Sequence, residues 1–413
     1  MPSAPHGRRV FVSGIGAITP YGLGVDRLRD ALYAGRSAIG PITAFDASRF
    51  QTRFGGELPK TALDEHFEGR DLPWLSSLTA HGVIAARLAL ADAKISNGVL
   101  ADAGVFFGSG FGTIAEAGPH YLKWAEIGDA ASRPTTIPSL MLNAPAAQIA
   151  IYLGLKGPSM TVATACASGS HAIGQAYREI REGRRDAMIA GGGEHALTEL
   201  MLLSWSRLRV LSRRNDDPAG ACRPFDADRD GLVLSDAIVL LVLESEESLA
   251  RRGGRALAEI AGYASNCDAS HLTAPDQSTE AEAIREALRD ASVLPEDVDL
   301  VVAHGTATRL NDRTEGHSLR EVFGSDKGFP VVTAPKSMLG HAMGASGALG
   351  VAAAVFALES GTVTPTINVA HLDPECAIPA PPDVAERRDP GVAIVDAFAF
   401  GGHNAVVVLK RAG

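Results

Sequence analysis

The sequence predicts an α/β protein built on a largely parallel, buried sheet, and three features carry that prediction. Short β-branched apolar runs alternate with helical patterns along the whole chain, as expected for strands covered on both faces. Among 413 residues there are 44 glycines, 46% apolar residues and only 6% aromatics, which suits a tightly packed interior with close backbone approaches. The strand–helix series also runs twice in similar order, which suggests an internally duplicated fold. The length fits two or three domains' worth of core.

The first series of predicted strands is Val10–Ser13, Val105–Gly108, Met160–Thr164, Ala187–Ala190 and Ile238–Leu243. After Arg251-Arg252-Gly253-Gly254 a second series runs through Ala256–Tyr263, Leu300–Ala303, Val331–Ala334, Val392–Asp396 and Ala405–Leu409. The expected division is therefore 1–252 and 253–413. A helix is predicted over Ser278–Ala291, opened by a capping-box-like Ser278-Thr-Glu-Ala. Another, Ser346–Leu358, is almost wholly apolar and should be buried.

The net charge of −10 argues against nucleic acid as the main partner, since phosphate binding needs a cationic surface. Four widely spaced cysteines without a CxxC pair leave structural zinc and a disulfide framework without support. No metal is expected. The start, MPSAPHGRRVFVSGIG, lacks the apolar core and cleavage site of a signal peptide. No apolar run reaches membrane-spanning length free of Gly or charge. A cytoplasmic location with no membrane partner is the expectation.

Three look-alikes fall away. Ser13-Gly14-Ile15-Gly16 follows a strand, but residue 19 is Thr, so the dinucleotide fingerprint fails. Asp226-Ala-Asp228-Arg-Asp230-Gly231 imitates half a calcium loop, yet its twelfth position is Ala237 rather than Glu. No GxSxG occurs, against a serine hydrolase of the α/β type.

Four motifs remain. TVATACASGSHAIG places Cys166 between a strand and a small-residue helix start, where the helix dipole and free N–H groups would stabilise thiolate. Taken alone, a lone Cys among alanines is more often an ordinary core filler. HGTATRLNDRTE puts His304 at the C-terminal end of a strand, where α/β sheets bind ligands; a single His there is often only structural. PKSMLGHAMGASG holds Lys336 and His341 among Gly340, Gly344 and Gly347, which would let the backbone close around a ligand, or would simply make a Gly-rich turn. FAFGGHNAVVVL reads as a strand, a Gly-Gly turn and a returning strand, with Phe400 at the turn or in the core.

Together and in this order, these motifs resemble the elongating β-ketoacyl-ACP synthases of fatty acid and type II polyketide synthesis. The resemblance extends from RRVFVSGIGAITPYG to FAFGGHNAVVVLKR and includes RPFDADRDG. It implies a thiolase fold, duplicated as five layers α/β/α/β/α, and usually a dimer. It implies that Cys166 accepts the acyl group, and that His304 and His341 donate hydrogen bonds to the malonyl thioester carbonyl. Lys336 would support the His pair. The backbone N–H groups of Cys166 and Phe400 would form the oxyanion hole, with Phe400 also a gate. Thr306 and Thr308 would hold the phosphopantetheine arm that arrives on the acyl carrier protein, so that no separate cofactor is needed.

The residue types suit that chemistry. A thiolate splits one hard acyl transfer into two easier steps, and fixed donors stabilise the charge that decarboxylation builds on an enolate oxygen. Two His distinguish the pattern from Cys-His-Asn initiating synthases. A degradative thiolase would want a second Cys in a Cys-x-Gly turn, and Cys376 lies in PECAIPA.

The chain departs from the family pattern at identifiable places. Ser235-Asp236-Ala237-Ile238-Val239 replaces a glycine-rich stretch, so packing beneath the site should differ. The following helix commonly carries a Glu that pairs with the active-site Lys; here that position is Gly350. Lys336 then needs another partner, with Asp312, Glu315 and Asp236 as candidates. Phe111, at an acyl-pocket position, predicts a short, unsaturated or aryl-capped acyl chain. Arg209 and Arg213 lie in the densest basic stretch near a motif and are the candidates for carrier docking, or are solvated surface charges.

These features imply a specialised-metabolite synthase at least as readily as a housekeeping one, partnered by a second copy or by a chain-length-factor-like subunit. Two other readings stay open at this point: a non-decarboxylative acyltransferase on the same fold, and a non-catalytic subunit that shapes a heterodimer's cavity. The His pair weighs against the first and Cys166 against the second.

Overall fold

The computed structural model describes residues 7–96, 100–324 and 327–413. Ten strands carry the two predicted series. The first five are β1 (Val10–Thr19), β2 (Gly104–Gly108), β3 (Ser159–Val162), β4 (Ala187–Glu194) and β5 (Ala237–Ser245). The second five are β6 (Ala258–Cys267), β7 (Leu300–Val302), β8 (Val331–Thr333), β9 (Val392–Ala399) and β10 (His403–Arg411). Their spatial order is β3-β2-β4-β5-β1 in one half and β8-β7-β9-β10-β6 in the other, joined where β1 pairs with β6. Each strand of the second half thus stands where its counterpart five strands earlier stands in the first. The duplication is one of topology.

The sheet is mixed, which corrects the expectation of a largely parallel one. In each half three neighbouring strands pair in parallel (β3-β2-β4 and β8-β7-β9), and one strand, β5 or β10, runs against all the others, so that its pairings with β4 and β1, or with β9 and β6, are antiparallel. The reason is plain in the second half. Only Phe400, Gly401 and Gly402 separate β9 from β10, and so short a link makes a hairpin rather than a crossover. Gly401 and Gly402 turn it with φ of 87° and 70°, angles natural to glycine.

Strand period explains the layering. In β5, Ala237, Val239, Leu241 and Leu243 face the core between the half-sheets, whereas Ile238, Leu240 and Val242 face the outer side. Alternation with apolar residues on both faces demands helices on both faces. Helices α1 (Ser77–Asp92) and α2 (Ala144–Leu153) cover the outer side of the first half. Two more, α3 (Ser168–Arg181) and α4 (Glu199–Leu208), follow β3 and β4. Outside the second half lie α5 (Gln277–Asp290) and α6 (Arg309–Phe323). The central layer is α3 together with α7 (Ser346–Ser360). This is the five-layered arrangement expected of the fold class.

Helix α7 is buried from Ser346 to Leu358, as predicted. The stretch Met343–Ser360 is long and apolar enough to cross a membrane, but 89% of it is buried inside the protein, which makes it a core helix. The predicted capping box at Ser278 is displaced by two residues. Asp276 caps α5, with Oδ1 accepting from Thr279 N at 3.0 Å, because its carboxylate reaches the free N–H groups before Ser278 can.

Glycines predicted to close on a ligand instead let backbones meet. A Cβ on Gly344 would lie 2.7 Å from Gly110 N, and one on Gly347 would lie 2.1 Å from Ser170 Oγ. The look-alike Gly16 does the same, since a Cβ there would lie 1.8 Å from Ala85 O on α1.

Candidate active site

The functional side chains gather where parallel strands end. Cys166 follows β3, His304 follows β7, Lys336 and His341 follow β8, and Phe400 follows β9. Carboxyl ends of parallel strands in α/β sheets are where loops are free to build a site. Duplication brings the two halves' ends together. Ala165 (φ 50°) and Met343 (φ 43°) each stand three residues before a central helix. A left-handed alanine costs about 1 kcal/mol, and here it turns the next residue, Cys166, toward the site.

Cys166 Sγ lies 3.1 Å from His341 Nε2, and His341 Nδ1 lies 2.8 Å from Ser346 Oγ. The His304 and His341 rings meet edge to face at 5.3 Å. One donor atom from each of Cys166, His304 and His341 falls within 4.8 Å of the others. Lys336 donates to His304 O and lies 3.5 Å from His304 Nδ1. Since Nδ1 faces an ammonium, it accepts, and Nε2 carries the ring proton. Burial, reinforced by Lys336, holds both imidazoles well below the usual range, so they are neutral N–H donors near neutral pH.

The thiolate expected from the helix N-terminus is not the resting state. Burial pushes the Cys166 thiol up to about 12, opposed by Lys336 and by the N–H groups of Cys166 and Phe400. Desolvation of a residue only 6% exposed outweighs the dipole of a helix that starts two residues later. Iodoacetamide should therefore alkylate Cys166 at a rate rising steadily between about pH 6 and 9. A plateau within that range would reveal a stabilised resting thiolate instead.

None of the predicted partners forms an ion pair with Lys336. Glu315 accepts from His304 N at 2.5 Å and Gly305 N at 2.8 Å. Asp312 accepts from Thr306 N at 3.0 Å and Phe225 N at 2.8 Å and faces the buried Arg229 at 3.6 Å. Both carboxylates are occupied in fixing the loop that carries His304. Burial raises Glu315 to about 7, while Lys336 opposes the shift. Asp236 points elsewhere, accepting from Ala196 N at 2.7 Å and Leu197 N at 2.9 Å. Its neighbours hold His341, through His341 N to Val233 O at 2.7 Å and Ser235 N to His341 O at 3.1 Å. Residues Val233 and Ser235 are thus a backbone clamp under the second His.

Two cavities meet at Cys166. One, about 240 Å³, is lined by His304, His341, Thr306, Thr308, Asn311 and Phe400, among others. The Thr306 and Thr308 hydroxyls lie 2.9 Å apart on its wall. The other, about 500 Å³, is lined by Phe111, Met201, Trp205, Met343 and again Phe400. Phe400 stands in the wall between them, stacked on Trp205 at 5.7 Å, and Trp205 meets Phe111 edge to face at 6.2 Å. The Phe111 N–H is anchored on Glu194 at 3.2 Å.

Helix α4 serves two surfaces. Met201, Trp205 and Leu208, spaced on one helical face, line the second cavity. Leu203, Ser206 and Arg207 turn to an outer basin of about 720 Å³, where Arg209 and Arg213 stand with Arg49. The sequence reading placed Arg207 in the basic stretch without choosing it, and missed Arg49, the cavity role of Trp205, and Ser346. The i, i+4, i+7 spacing of Met201, Trp205 and Leu208 could have revealed the aromatic. Nothing local marks Ser346 or Arg49.

Comparison with known proteins shows the family. Residues 7–248 match the family model described as β-ketoacyl synthase, N-terminal domain, and residues 257–370 match the corresponding C-terminal domain. A 3-oxoacyl-[acyl-carrier-protein] synthase 2 of Synechocystis is 39% identical over 98% of both chains. The solved ishigamide ketosynthase/chain length factor superposes with a TM-score of 0.91 at 34% identity, over 98% of this chain and 100% of that one. A type II polyketide ketosynthase solved with its acyl-carrier protein and a bound hexaketide, AntDE:AntF, gives 0.90 at 28% identity over the same shares.

Proposed function

The chain belongs to the β-ketoacyl synthase family and is an acyltransferase-type ketosynthase, and from that premise we propose a decarboxylative condensing role in type II polyketide or specialised fatty acid synthesis. The observation that carries the chemistry is the Cys166–His341 contact at 3.1 Å beside a second neutral imidazole. In loading, Cys166 attacks an acyl-carrier thioester while His341 Nε2 takes the thiol proton and returns it to the departing carrier thiol. In the second half-reaction, Nε2–H of each imidazole donates to the malonyl thioester oxygen. The bond to the carboxylate breaks, carbon dioxide leaves, and the enolate attacks the acyl-Cys carbonyl. The oxyanion formed there meets the N–H groups of Cys166 and Phe400 and collapses, releasing the β-ketoacyl carrier and the Cys166 thiolate, which takes up one proton from solvent to return to the thiol. Ser346 Oγ both donates and accepts, so it serves either tautomer of His341.

Thr306 and Thr308 hold the pantetheine arm in the first cavity, and the acyl chain occupies the second. Aromatic walls from Phe111, Trp205 and Phe400 favour an unsaturated or aryl-capped chain over a long saturated one. The acyl carrier protein docks on the arginine basin. Reversing Arg207 and Arg213 (Arg207→Glu with Arg213→Glu) is expected to raise the carrier KM at least about tenfold, with kcat little changed and the salt dependence flattened. An unchanged KM would move the docking face elsewhere. The partner subunit, a second copy or a chain-length-factor-like chain, pairs along β3, an open sheet edge among the described residues with Met160 48% exposed.

The deciding experiment incubates the chain with a panel of acyl-carriers and then adds malonyl-carrier, following intact mass and carbon dioxide. A Cys166-linked adduct should form and then vanish with one equivalent of carbon dioxide. Acyl transfer to an amine or alcohol without carbon dioxide would instead establish the non-decarboxylative reading. No adduct, alone or with a partner subunit, would sink the nucleophile assignment.

A further inference from the structure

Lys336 is only 8% exposed, and no carboxylate among the described residues comes within 4.0 Å of its Nζ. Its recorded partners are the carbonyl and Nδ1 of His304. Burial holds the ammonium below its usual range although Glu315, beyond ion-pair distance, opposes this; a buried ammonium so weakly compensated is strongly disfavoured. The helix position where the family carries a Glu is Gly350, and a Cβ there would begin 2.7 Å from Val395 Cγ1.

A matching orphan stands opposite. Asp396, on β9, is 3% exposed, and neither of its carboxylate oxygens has a hydrogen-bond partner. Asp396, Lys336 and Gly350 line one small cavity of about 10 Å³, with Val302, Leu339 and Val395 in its wall. That is room for a single water, which needs polar partners of this kind. Burial, then Glu315, pushes the Asp396 carboxyl well up, and Lys336 opposes them.

We propose that Asp396 is a second counter-charge of Lys336, beside the more distant Glu315, joined to it through one water in this cavity, and so a positioning residue for His304. The carboxylate has moved from helix α7 to strand β9 across the same cavity. Its effect is indirect. While Lys336 keeps its proton, it donates to His304 Nδ1 and holds the ring proton on Nε2, where the thioester oxygen needs it. Without the counter-charge Lys336 loses that proton more readily, and the tautomer is no longer imposed.

The inference rests on the condensing role proposed above, and the test separates the two. Asp396→Asn removes charge at constant shape. Loading of Cys166, by intact mass, and carbon dioxide release from malonyl-carrier are each timed in the full chain. Asp396→Asn is expected to slow carbon dioxide release at least about tenfold while loading changes less than about threefold. Returning the carboxylate to the helix, as Asp396→Asn/Gly350→Glu with Val395→Ala to make room, should bring release back to within about threefold of wild type. Release by Asp396→Asn within threefold of wild type would overturn the proposal. So would loading that falls in step with release and with Tm, the mark of a merely structural residue. If the triple variant does not fold, the split in Asp396→Asn decides alone. Absence of carbon dioxide from the wild type would instead count against the condensing role.

Discussion

Cys166→Ala is expected to abolish acyl loading and to lower β-ketoacyl formation by at least about 10⁴-fold, since a covalent step has no substitute nucleophile at hand. The reacting sulfur is buried at the meeting of two cavities, and no other cysteine lines either of them. Cys222 and Cys376 are buried elsewhere, and Cys267 is exposed. Carbon dioxide release from malonyl-carrier should survive to within about tenfold, because both imidazoles remain in place. Intact mass after acyl-carrier treatment reads the first effect, and labelled carbon dioxide reads the second. Acylation of the Ala variant at any other residue would remove Cys166 from the mechanism.

His304→Ala and His341→Ala should differ in kind. His304 touches Lys336 and the other imidazole, whereas the recorded neighbour of Sγ is His341. Removing His304 takes away one of two donors to the developing enolate, so release should fall about 10²- to 10³-fold. Loading should continue at near the wild-type rate. Removing His341 deletes both a donor and the proton acceptor for a thiol raised to about 12, so both half-reactions should fail. Single-turnover loading, measured beside carbon dioxide release, tells the variants apart. Equal losses in both steps for His304→Ala would contradict the assigned division of labour.

The proposed carboxylate shift at Asp396 illustrates how far local patterns reach. The absence at Gly350 of the Glu that the resemblance implies is legible in the motif, which sets the spacing from His341. The compensating group lies 46 residues further on, in a strand that reads as ordinary. Asp312 and Glu315 were reasonable partners for Lys336 by proximity along the motif. They are held instead by backbone N–H groups of the loop they buttress. A carboxylate's partner is decided by which donors fold toward it, and short-range sequence does not record that.

The sequence by itself determined the strands and helices, since two-faced apolar runs such as β5 permit only a covered sheet. It also determined the chemistry-bearing residues, since Cys166, His304, Lys336 and His341 stand in motifs whose spacing reflects the turns that hold them. Tertiary structure alone decided that the sheet is mixed, that the resting nucleophile is a buried thiol, and that Ser346 stands against His341. Burial and long-range contact are properties of the packed whole. Desolvation raises a thiol only when distant segments close over it, and an aspartate meets a lysine only after two sheet halves and a central helix have come together.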